Sequence, residues 1–420
     1  MVADALSYRR VLPTYLNNYR YHIVQRIPVR AISNNLEKSI EALRAAELMT
    51  LRDSNAAIKD LKHSRANWRA KVSVTVKTHK ENSNVTMRII HGCHLYPPQT
   101  LARWIGKQLR QYVTALDHVF SDTSEMLASI GRVPIDQPVM FLKYDVKDFF
   151  MSGAHYRLAK SLGNHIAETE GPLRRHARLI HDVVVFLLDS QYVSLDPKDP
   201  EADTLHVSHG SGMGMQCSAE IADLSFFQLV ESQVVFSWLR EQQYLLYGRC
   251  KDDALMIIPI TPGISRRVNY LKTRLADYNG FVVDQWEAST VGVSFLDTFI
   301  FKNDHKRYVQ YSTFWKPSAQ QIRLDSSSGH AHKIHMSWKR SEIGRIARTC
   351  STAELFNHSK RTFLERIAEQ YEPTANMDEL SELNPQTSKI AKLVLRQNTN
   401  DDSGPRPARK WLSLPYHPVW

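Results

Sequence analysis

The chain has 420 residues, of which 43% are hydrophobic, and its formal net charge at pH 7 is +11. This length excludes a single small core and suggests two or three subdomains with enough apolar residues for a globular interior. The basic excess favours a polyanionic partner, either nucleic acid or an acidic membrane surface.

Cysteine spacing and hydropathy narrow the class further. The four cysteines form no CxxC pair, which argues against a zinc site and against a disulfide framework. The sequence has no apolar run of the roughly 20 residues that a membrane span needs. Its first residues, MVADALSYRR, lack the apolar stretch of a signal peptide. We therefore expect an intracellular protein whose basic charge serves nucleic acid and not a membrane.

The first third of the chain predicts helices around one hairpin. Apolar residues at helical spacing predict helix over 34–62. Apolar and polar residues alternate over 71–90, which predicts a β-hairpin. Residues 98–130 again favour helix.

The middle of the chain begins with a strand and a helix. The segment QPVMFLKYDV (137–146) predicts a buried strand, and HYRLAKSLGNHIAE predicts the helix that follows. Residues 192–203 are rich in Asp and Pro and predict an exposed loop. A Gly-rich segment, HVSHGSGMGMQ, then leads into a long predicted helix, SAEIADLSFFQLVESQVVFSWLREQQ.

Next, the apolar runs YLLYG and ALMIIPI flank RCKDD, a pattern typical of a hairpin with charges at its tip. A helix over 264–278 and strands over 281–285, 293–301 and 307–315 follow. The order strand, helix, hairpin, helix, strand is that of the split βαβ arrangement. The chain from about 326 to 373 is basic and mostly helical in composition.

Three acids stand at the ends of the predicted strand and hairpin. Asp145 lies near the end of the strand, and Asp252 and Asp253 lie at the hairpin tip. In a split βαβ sheet these two elements can be neighbours, so the acids can converge. Phosphoryl transfer from a nucleotide uses two divalent cations about 4 Å apart, and Mg²⁺ prefers carboxylate oxygens on rigid elements. Singly, these acids could be a helix cap and a polar turn, but their order around a Gly-rich helix entry favours a metal site.

The ordered motifs resemble those of reverse transcriptases. FLKYDVKDFF is similar to motif A, GSGMGMQCSAEIADL to motif B and GRCKDDAL to motif C. More narrowly, the chain resembles the reverse transcriptases of Penelope-like retroelements. The narrower match consists of VKTHK and MRII upstream, the Met-Gly with Ala222 and Leu224 in motif B, FLD at 295–297, and HAHKIHMSWKRSEIGRIARTCS. The resemblance covers roughly residues 70–375.

The resemblance implies an α+β, right-hand polymerase fold with a ferredoxin-like antiparallel palm. It places the N-terminal segment and fingers in 1–136, the catalytic palm in 137–312, a helical thumb in 313–375 and a tail, partly linker, in 376–420. The implied activity is RNA-directed DNA synthesis: two-metal nucleotidyl transfer from a dNTP to a primer 3′-hydroxyl. Mg²⁺ or Mn²⁺, an RNA template and a DNA primer are the implied cofactor and partners. We expect nuclear localisation if the retroelement is eukaryotic, and the oligomeric state is left open.

The resemblance also assigns roles to the acids and their neighbours. Asp145 and Asp252 would bind both metal ions, Asp253 would assist, and the Val146 carbonyl would be an added ligand. Phe150, five residues after Asp145, would pack under the sugar and block a 2′-hydroxyl, which favours dNTPs. Phe149 and Phe150 could instead both be core residues, and only one can face the sugar because neighbours on an extended chain point in opposite directions.

Substrate and duplex contacts are implied on either side of the palm. Lys77 and Arg88 match the fingers residues that grip the triphosphate, a role that suits an ammonium and a guanidinium fork. In motif B, Gly210, Met213 and Gly214 match a turn where the missing side chains let the backbone approach template and nucleotide. The thumb residues expected to follow the duplex backbone are Lys333, Lys339, Arg340, Arg345 and Arg348. A solvated hairpin face, a plain loop and a charged helix face are the alternative readings of these three sets.

Two departures from the family pattern leave alternatives open. Cys250 stands where motif C usually has an aromatic residue near the primer terminus. The sequence shows no GIY-YIG endonuclease motif, which fits either an element that lacks one or a truncated chain. A decayed or domesticated domain that binds nucleic acid without catalysis is therefore an alternative. An RNA-dependent RNA polymerase is another, and Phe150 and the FLD segment disfavour it.

Overall fold

The computed structural model describes residues 16, 21–62, 68–76, 87–199, 201–316 and 329–369. The chain divides into two compact units, the first comprising Met1–Val309 and Trp315–Ala319, the second comprising Gln310–Phe314 and Gln320–Trp420. No helix in the described part of the chain is both long enough and apolar enough to cross a bilayer.

Helices and strands are interspersed along the described chain, mostly in consecutive pairs. The α-helices are α1 (Val29–Ala45), α2 (Leu51–Leu61), α3 (Gln99–Thr114), α4 (Thr123–Ile130), α5 (His155–Glu168), α6 (Ala177–Asp189), α7 (Ser218–Phe226), α8 (Phe236–Glu241), α9 (Ile264–Leu275), α10 (His332–Arg348) and α11 (Ala353–Glu369). A π-helical segment, Phe227–Val235, joins α7 to α8. The strands are β1 (Tyr21–Val24), β2 (Ala70–Val76), β3 (Met87–Gly92), β4 (Val139–Lys147), β5 (Tyr192–Ser194), β6 (Thr204–Val207), β7 (Leu246–Cys250), β8 (Asp253–Pro259), β9 (Val282–Ser289), β10 (Gly292–Phe295), β11 (Thr298–Phe301) and β12 (Gln310–Thr313).

A four-stranded antiparallel sheet, in the order β7-β8-β4-β9, forms the centre of the first unit. Alternate residues of β4 (Leu142, Tyr144 and Val146) point into the main hydrophobic core, which also takes side chains from α5, α6, α7 and α9. Full burial of an aliphatic side chain contributes about 2 kcal/mol, so this packing fixes which face of the sheet is turned to the helices. We call the helix-covered side the core face and the opposite side the acidic face.

The β4–β9 pair contains a bulge beside the acids. Lys143 opposes Glu287, but Asp145 opposes Asp284, so two residues of β9 stand across from Tyr144. One of them, Gln285, has a positive φ of 49°. Such a bulge bends and twists its strand locally, here next to the row that contains Asp145.

A second sheet lies in the first unit, with strand order β1-β6-β5-β2-β3. Its β2–β3 pair is the antiparallel hairpin that the alternation over 71–90 predicts, with Arg88 opposite Thr75. Val72 and Ile89 belong to a small separate core under this sheet. The tip of the hairpin, 77–86, lies outside the described residues.

The second unit packs α10 and α11 around buried Ile346, Cys350 and Phe363. Its short strand β12 is tied to the loop between the helices, because the Ser351 N–H donates to the Tyr311 carbonyl at 2.9 Å. This unit corresponds in position to the helical segment predicted from about residue 326.

The elements that carry the motifs are confirmed. The predicted strand at 137–146 is β4, the helix HYRLAKSLGNHIAE is α5, and the hairpin around RCKDD is β7 with β8. The helix of 218–243 is one element in three parts, with the π segment in its middle. The order of strands and helices is the split βαβ arrangement that the sequence predicts.

Three predictions of single elements are wrong in part. The helix over 34–62 is two helices, because Glu47 adopts a left-handed φ of 59° and the Leu48 N–H closes α1 on the Leu43 carbonyl. The strand over 293–301 is the hairpin β10–β11, since Leu296 has a φ of 52°. The exposed loop over 192–203 begins with the buried strand β5.

Candidate active site

The register of β4 and β8 brings the predicted acids together. Asp145 is the direct cross-strand partner of Asp253, so the two side chains share one face and their Cβ atoms lie roughly 5 Å apart. The Val146 N–H donates to the Asp252 carbonyl at 2.8 Å. The hairpin tip is therefore fastened by its backbone to the strand that carries Asp145.

Four side chains line up across the sheet on the acidic face. Cys250 opposes Asp253, Asp253 opposes Asp145, and Asp145 opposes Asp284. All four are partly exposed. Asp284 is a third acid in this row that the sequence analysis did not single out, because its neighbourhood depends on the bulge in β9.

The surroundings of Asp253 disfavour its ionised form. Burial and the nearby Asp252 carboxylate raise the pKa of Asp253 to about 6, and the Lys316 and Lys143 ammonium groups offset only part of that rise. The Lys143 ammonium is itself engaged, since it pairs with Glu287 at 2.9 Å and donates to the Ser294 carbonyl at 2.7 Å. A cation from outside the chain would relieve this repulsion.

The donor set suits Mg²⁺ or Mn²⁺ when water or substrate oxygens complete the coordination. In the part of the chain that the structure describes, no three Asp, Glu, His or Cys side chains are grouped so that they could hold a metal ion alone. Mg²⁺ commonly binds to one or two carboxylates and takes its other oxygens from substrate phosphates and water. The paired Asp145 and Asp253 with the adjacent Asp252 fit that pattern.

The two aromatic residues at the end of motif A have different environments. Phe149 is 3% exposed and its ring packs against Phe226 and Phe281 at 5.7 and 6.4 Å between centroids. Phe150 is only half-buried. Its backbone carbonyl accepts from the Ser211 and Gly212 N–H groups at 2.8 and 3.0 Å. Of the pair, Phe150 is thus the more exposed residue, although it also packs against the main core, and motif B holds its backbone.

The motif B turn approaches neighbouring backbone so closely that it needs glycine. A Cβ on Gly214, whose φ is +143°, would lie 1.8 Å from the His91 carbonyl oxygen, and one on Gly210 would lie 2.3 Å from the Met151 Cα. The Met213 carbonyl accepts from the His91 N–H at 2.7 Å. The turn is therefore fixed between β3 and the end of motif A.

The predicted triphosphate contacts are only partly described. Arg88 lies on β3 with an exposed side chain. Lys77 lies outside the described residues. The buried Val146 side chain belongs to the main core, and the role of its carbonyl oxygen stays a prediction.

The predicted thumb residues lie on α10 of the second unit. Lys333, Arg340 and Arg348 are exposed. Their spacings of seven and eight residues place them within about 80° of one another around the helix axis. Arg345 is half-buried and paired with Glu342, so it is less available than the others. The side chain of Lys339 lies outside the described residues.

A buried ion cluster on the core face was missed by the sequence analysis. Arg249, Asp223 and Glu231 have no exposed side-chain surface and form ion pairs at 2.8 Å. The signal was present, because each of these charges interrupts an apolar run (YGRCK, IADLSFF and VESQVV). A charge inside an apolar element is rarely buried without a partner.

Several solved polymerase structures are similar to this chain. A telomerase from Candida albicans, solved in complex with a TWJ fragment of telomeric RNA, matches with a TM-score of 0.52 and 12% identity, over 80% of this chain and 61% of that chain. Apo telomerase from Candida tropicalis matches with a TM-score of 0.46 and 11% identity, over 80% of this chain and 63% of that one. The RNA-dependent RNA polymerase of a human picorbirnavirus matches with a TM-score of 0.47 and 12% identity, over 79% of this chain and 65% of that chain.

Sequence comparisons add nothing to this, since no family model and no curated protein matches the chain. The chain spans about three fifths of the telomerase chains it matches. At such low identity the likeness to the Candida albicans telomerase carries the fold alone. The chain has a right-hand, reverse-transcriptase-like polymerase fold.

Proposed function

We propose that the chain is an RNA-directed DNA polymerase that transfers nucleotides from dNTPs to a primer 3′-hydroxyl. The observation that carries the proposal is the β4–β8 register, which sets Asp145 opposite Asp253 and bonds Asp252 to the backbone of Val146. Nucleotidyl transfer asks little covalent chemistry of a protein and depends mainly on positioning and on charge stabilisation. Acids on two neighbouring strands of a packed sheet meet that demand.

Asp145, Asp252 and Asp253 would hold the Mg²⁺ or Mn²⁺ ions, with the Val146 carbonyl as a further ligand. When bound, such ions neutralise phosphate charge and lower the pKa of the attacking hydroxyl. The chain's own part is to keep the carboxylates close despite their repulsion, which the hydrogen bonds of the β4–β8 ladder do. Burial, and after it the nearby Asp252 carboxylate, raises the pKa of Asp253 to about 6.

The remaining site residues would orient the nucleotide. Arg88, with Lys77 near it in sequence, would contact the triphosphate, and the Gly214 turn would let the backbone approach the template and the nucleotide. Phe150 would pack against the sugar and exclude a 2′-hydroxyl. Phe150 is half-buried and its backbone is held by motif B, which supports this role.

Template and primer would be bound through their phosphates. The formal charge of +11 and the exposed basic face of α10 support a nucleic-acid partner, because clustered Lys and Arg neutralise phosphates and release counterions. The similar telomerase was solved with an RNA fragment, which supports RNA as one strand. No membrane partner is proposed.

The narrower assignment is to a Penelope-like retroelement. The upstream VKTHK and MRII and the late HAHKIHMSWKRSEIGRIARTCS support it, as does the exposed Arg88 on the strand that MRII begins. On this assignment the division into fingers, palm and thumb follows 1–136, 137–312 and 313–375. A eukaryotic element would place the protein in the nucleus.

Primer extension on an RNA template tests the proposal. We expect the parent chain to extend a DNA primer with dNTPs and Mg²⁺ or Mn²⁺, and to use NTPs poorly. Asp145→Asn should abolish extension, whereas Asp304→Asn, a change at an exposed acid paired with Lys302, should not. Preference for NTPs would favour the RNA polymerase alternative. Binding without extension in either metal would favour the domesticated, non-catalytic alternative that Cys250 motivates.

A further inference from the structure

In the buried ion cluster under the hairpin, every N–H donor of the Arg249 guanidinium has a hydrogen-bond acceptor. Arg249 donates from Nε to Glu231 Oε1 at 2.8 Å and from Nη1 to Asp223 Oδ1 at 2.8 Å and to the Lys251 carbonyl at 2.9 Å. From Nη2 it donates to Glu231 Oε2 at 3.3 Å and to the Asp223 carbonyl at 3.4 Å. A guanidinium has five N–H donors, so all five have an acceptor here.

The rest of the Arg249 environment also keeps it in place. The guanidinium carbon lies 5.1 Å from the ring centre of Phe226 and 5.5 Å from that of Phe149, within the range of cation–π attraction. Its backbone N–H donates to the His118 carbonyl at 2.7 Å, and its carbonyl accepts from the Phe120 N–H at 2.8 Å. Neither the side chain nor the backbone of this residue has freedom to move independently of its neighbours.

The π segment explains how two acids of one helix reach the same arginine. Asp223 and Glu231 are eight residues apart, which would place them about 80° apart on a regular α-helix. A π-helix bonds i to i+5 and so winds less per residue, and the segment Phe227–Val235 includes Glu231. The slower winding turns Glu231 toward the face of Asp223. Both carboxylates then converge on Arg249.

One of these contacts reaches the hairpin tip directly. Lys251 has a positive φ of 57°, a strained conformation for a side chain of this kind. Its carbonyl accepts from Arg249, and its ammonium pairs with Asp223. The next residue, Asp252, is held on its other side by the Val146 N–H. The turn is thus fixed from the core face while Asp253 faces Asp145 on the acidic face.

We propose that Arg249, Asp223 and Lys251 are positioning residues that hold the Lys251–Asp252 turn in the conformation required for cation binding by the Asp145–Asp253 site. This inference rests on the proposed polymerase function, because it assigns these residues to the same cation site. None of the three touches the reacting atoms. They act through the backbone of the turn, as outer partners of metal ligands do.

Two variants and a matched control test the proposal. Arg249→Lys keeps a cation between the buried acids but supplies three donors in place of five, so it cannot keep all the bonds to Asp223, Glu231 and the Lys251 carbonyl. Lys251→Met removes the partly exposed ammonium and leaves Arg249 intact. The control, Lys302→Met, removes a lysine that also pairs with an aspartate, Asp304, outside the hairpin.

The decisive readout is binding of Mn²⁺ alone, followed by electron paramagnetic resonance without primer or nucleotide. We expect Mn²⁺ affinity and kcat to fall about 10- to 100-fold in Arg249→Lys and Lys251→Met. The KM for dNTP, the primer–template Kd and all values for the control should stay within about twofold. If Arg249→Lys does not fold, Lys251→Met decides the matter.

Failure of the positioning role and failure of the proposed polymerase function would give different results. A parent that extends primers, with Mn²⁺ affinity unchanged in the folded variants, overturns the positioning role alone. A Lys251→Met protein that loses only primer–template affinity also overturns it, because the lysine would then contact phosphate. A parent that binds no Mn²⁺ and never extends a primer overturns the proposed function, and the positioning role with it.

Discussion

The two faces of the β7-β8-β4-β9 sheet differ in how buried acids are neutralised. Against the core face, burial alone would raise the pKa of Glu231, but Arg249 and His118 lower it to about 2. On the acidic face, burial and Asp252 raise the pKa of Asp253 to about 6, and the nearby lysines offset only part of the rise. The chain therefore supplies the counter-charge on one face and lacks enough of it on the other. That difference is what is expected if a ligand cation completes only the acidic face.

The largest effect should come from removing the counter-charge of the core face. Arg249→Met would leave two buried carboxylates without their main partner. We expect the free energy of unfolding to fall by about 3–5 kcal/mol, measured by urea denaturation at pH 7. Arg266→Met, at an exposed position of α9, should change it by no more than about 0.5 kcal/mol. A loss below about 1 kcal/mol for Arg249→Met would show that the cluster is solvated or dispensable.

A buried ionisable group in the second sheet, His91, has no counter-charge among the described residues and is instead kept in its neutral form. Burial lowers the pKa of His91 to about 4, and a hydrogen bond with Gln191 offsets only part of this. Between pH 6.5 and 4 the unfolded chain therefore binds a proton that the folded chain resists. Stability should fall by about 3 kcal/mol as pH drops through this window.

The matched variant for this prediction is His91→Gln, which keeps a polar group near the Tyr21 hydroxyl, now 2.8 Å from the His91 Nε2. All other titratable groups are the same in both proteins, so the difference between their free energies of unfolding reports the titration of His91. The advantage of the parent should shrink as pH falls from 7 to 4. A difference that is the same at every pH would show that His91 is not held neutral.

On the acidic face we expect a smaller change in the free energy of unfolding, and it should be a stabilisation. Because the folded state disfavours ionised Asp253, Asp253→Asn should stabilise the metal-free protein at pH 7.5 by about 1 kcal/mol or more. Thermal unfolding in a chelating buffer measures this. Destabilisation by the same change would mean that the carboxylate has a stabilising partner within the chain, and the contrast between the two faces would be lost.

The smallest effect concerns sugar selection on the acidic face. Phe150→Ala removes a steric block without adding an attraction, so discrimination should fall through better use of the wrong substrate. We expect ribonucleotide incorporation to rise about 10-fold in competition with dNTPs. Phe299→Ala, on β11, serves as the control. Unchanged incorporation would place the gate elsewhere.

Much of the site could be predicted because local pattern and register agree. The apolar run before Asp145 and the two runs around RCKDD predict a strand and a hairpin, and β pairing then leaves the acids as neighbours. The alternation of β2 and β3 likewise gave their pairing. Apolar residues that recur at every second position predict strands, and strand pairing of this kind can therefore be predicted from the sequence.

Other features depend on geometry that periodicity does not record. The turns at Glu47 and Leu296 use left-handed backbone without glycine, so neither carried the usual turn signal. The bulge that brings Asp284 beside Asp145 depends on one extra residue in β9. The convergence of Asp223 and Glu231 depends on a π segment. A hydrophobic pattern with the α-helical period of 3.6 residues does not predict such a segment.

The central claim is that the acids at the β4–β8 register bind cations for catalysis and are not needed to bind nucleic acid. Asp252→Asn tests it most directly, with single-turnover extension and primer–template affinity measured on the same preparation at several salt concentrations. We predict that extension falls by about 10³-fold or more, while the affinity and its salt dependence stay unchanged because they come from Lys and Arg. An Asn variant that extends at the parental rate, or a parent that binds primer–template but never extends it with Mg²⁺ or Mn²⁺, would contradict the account.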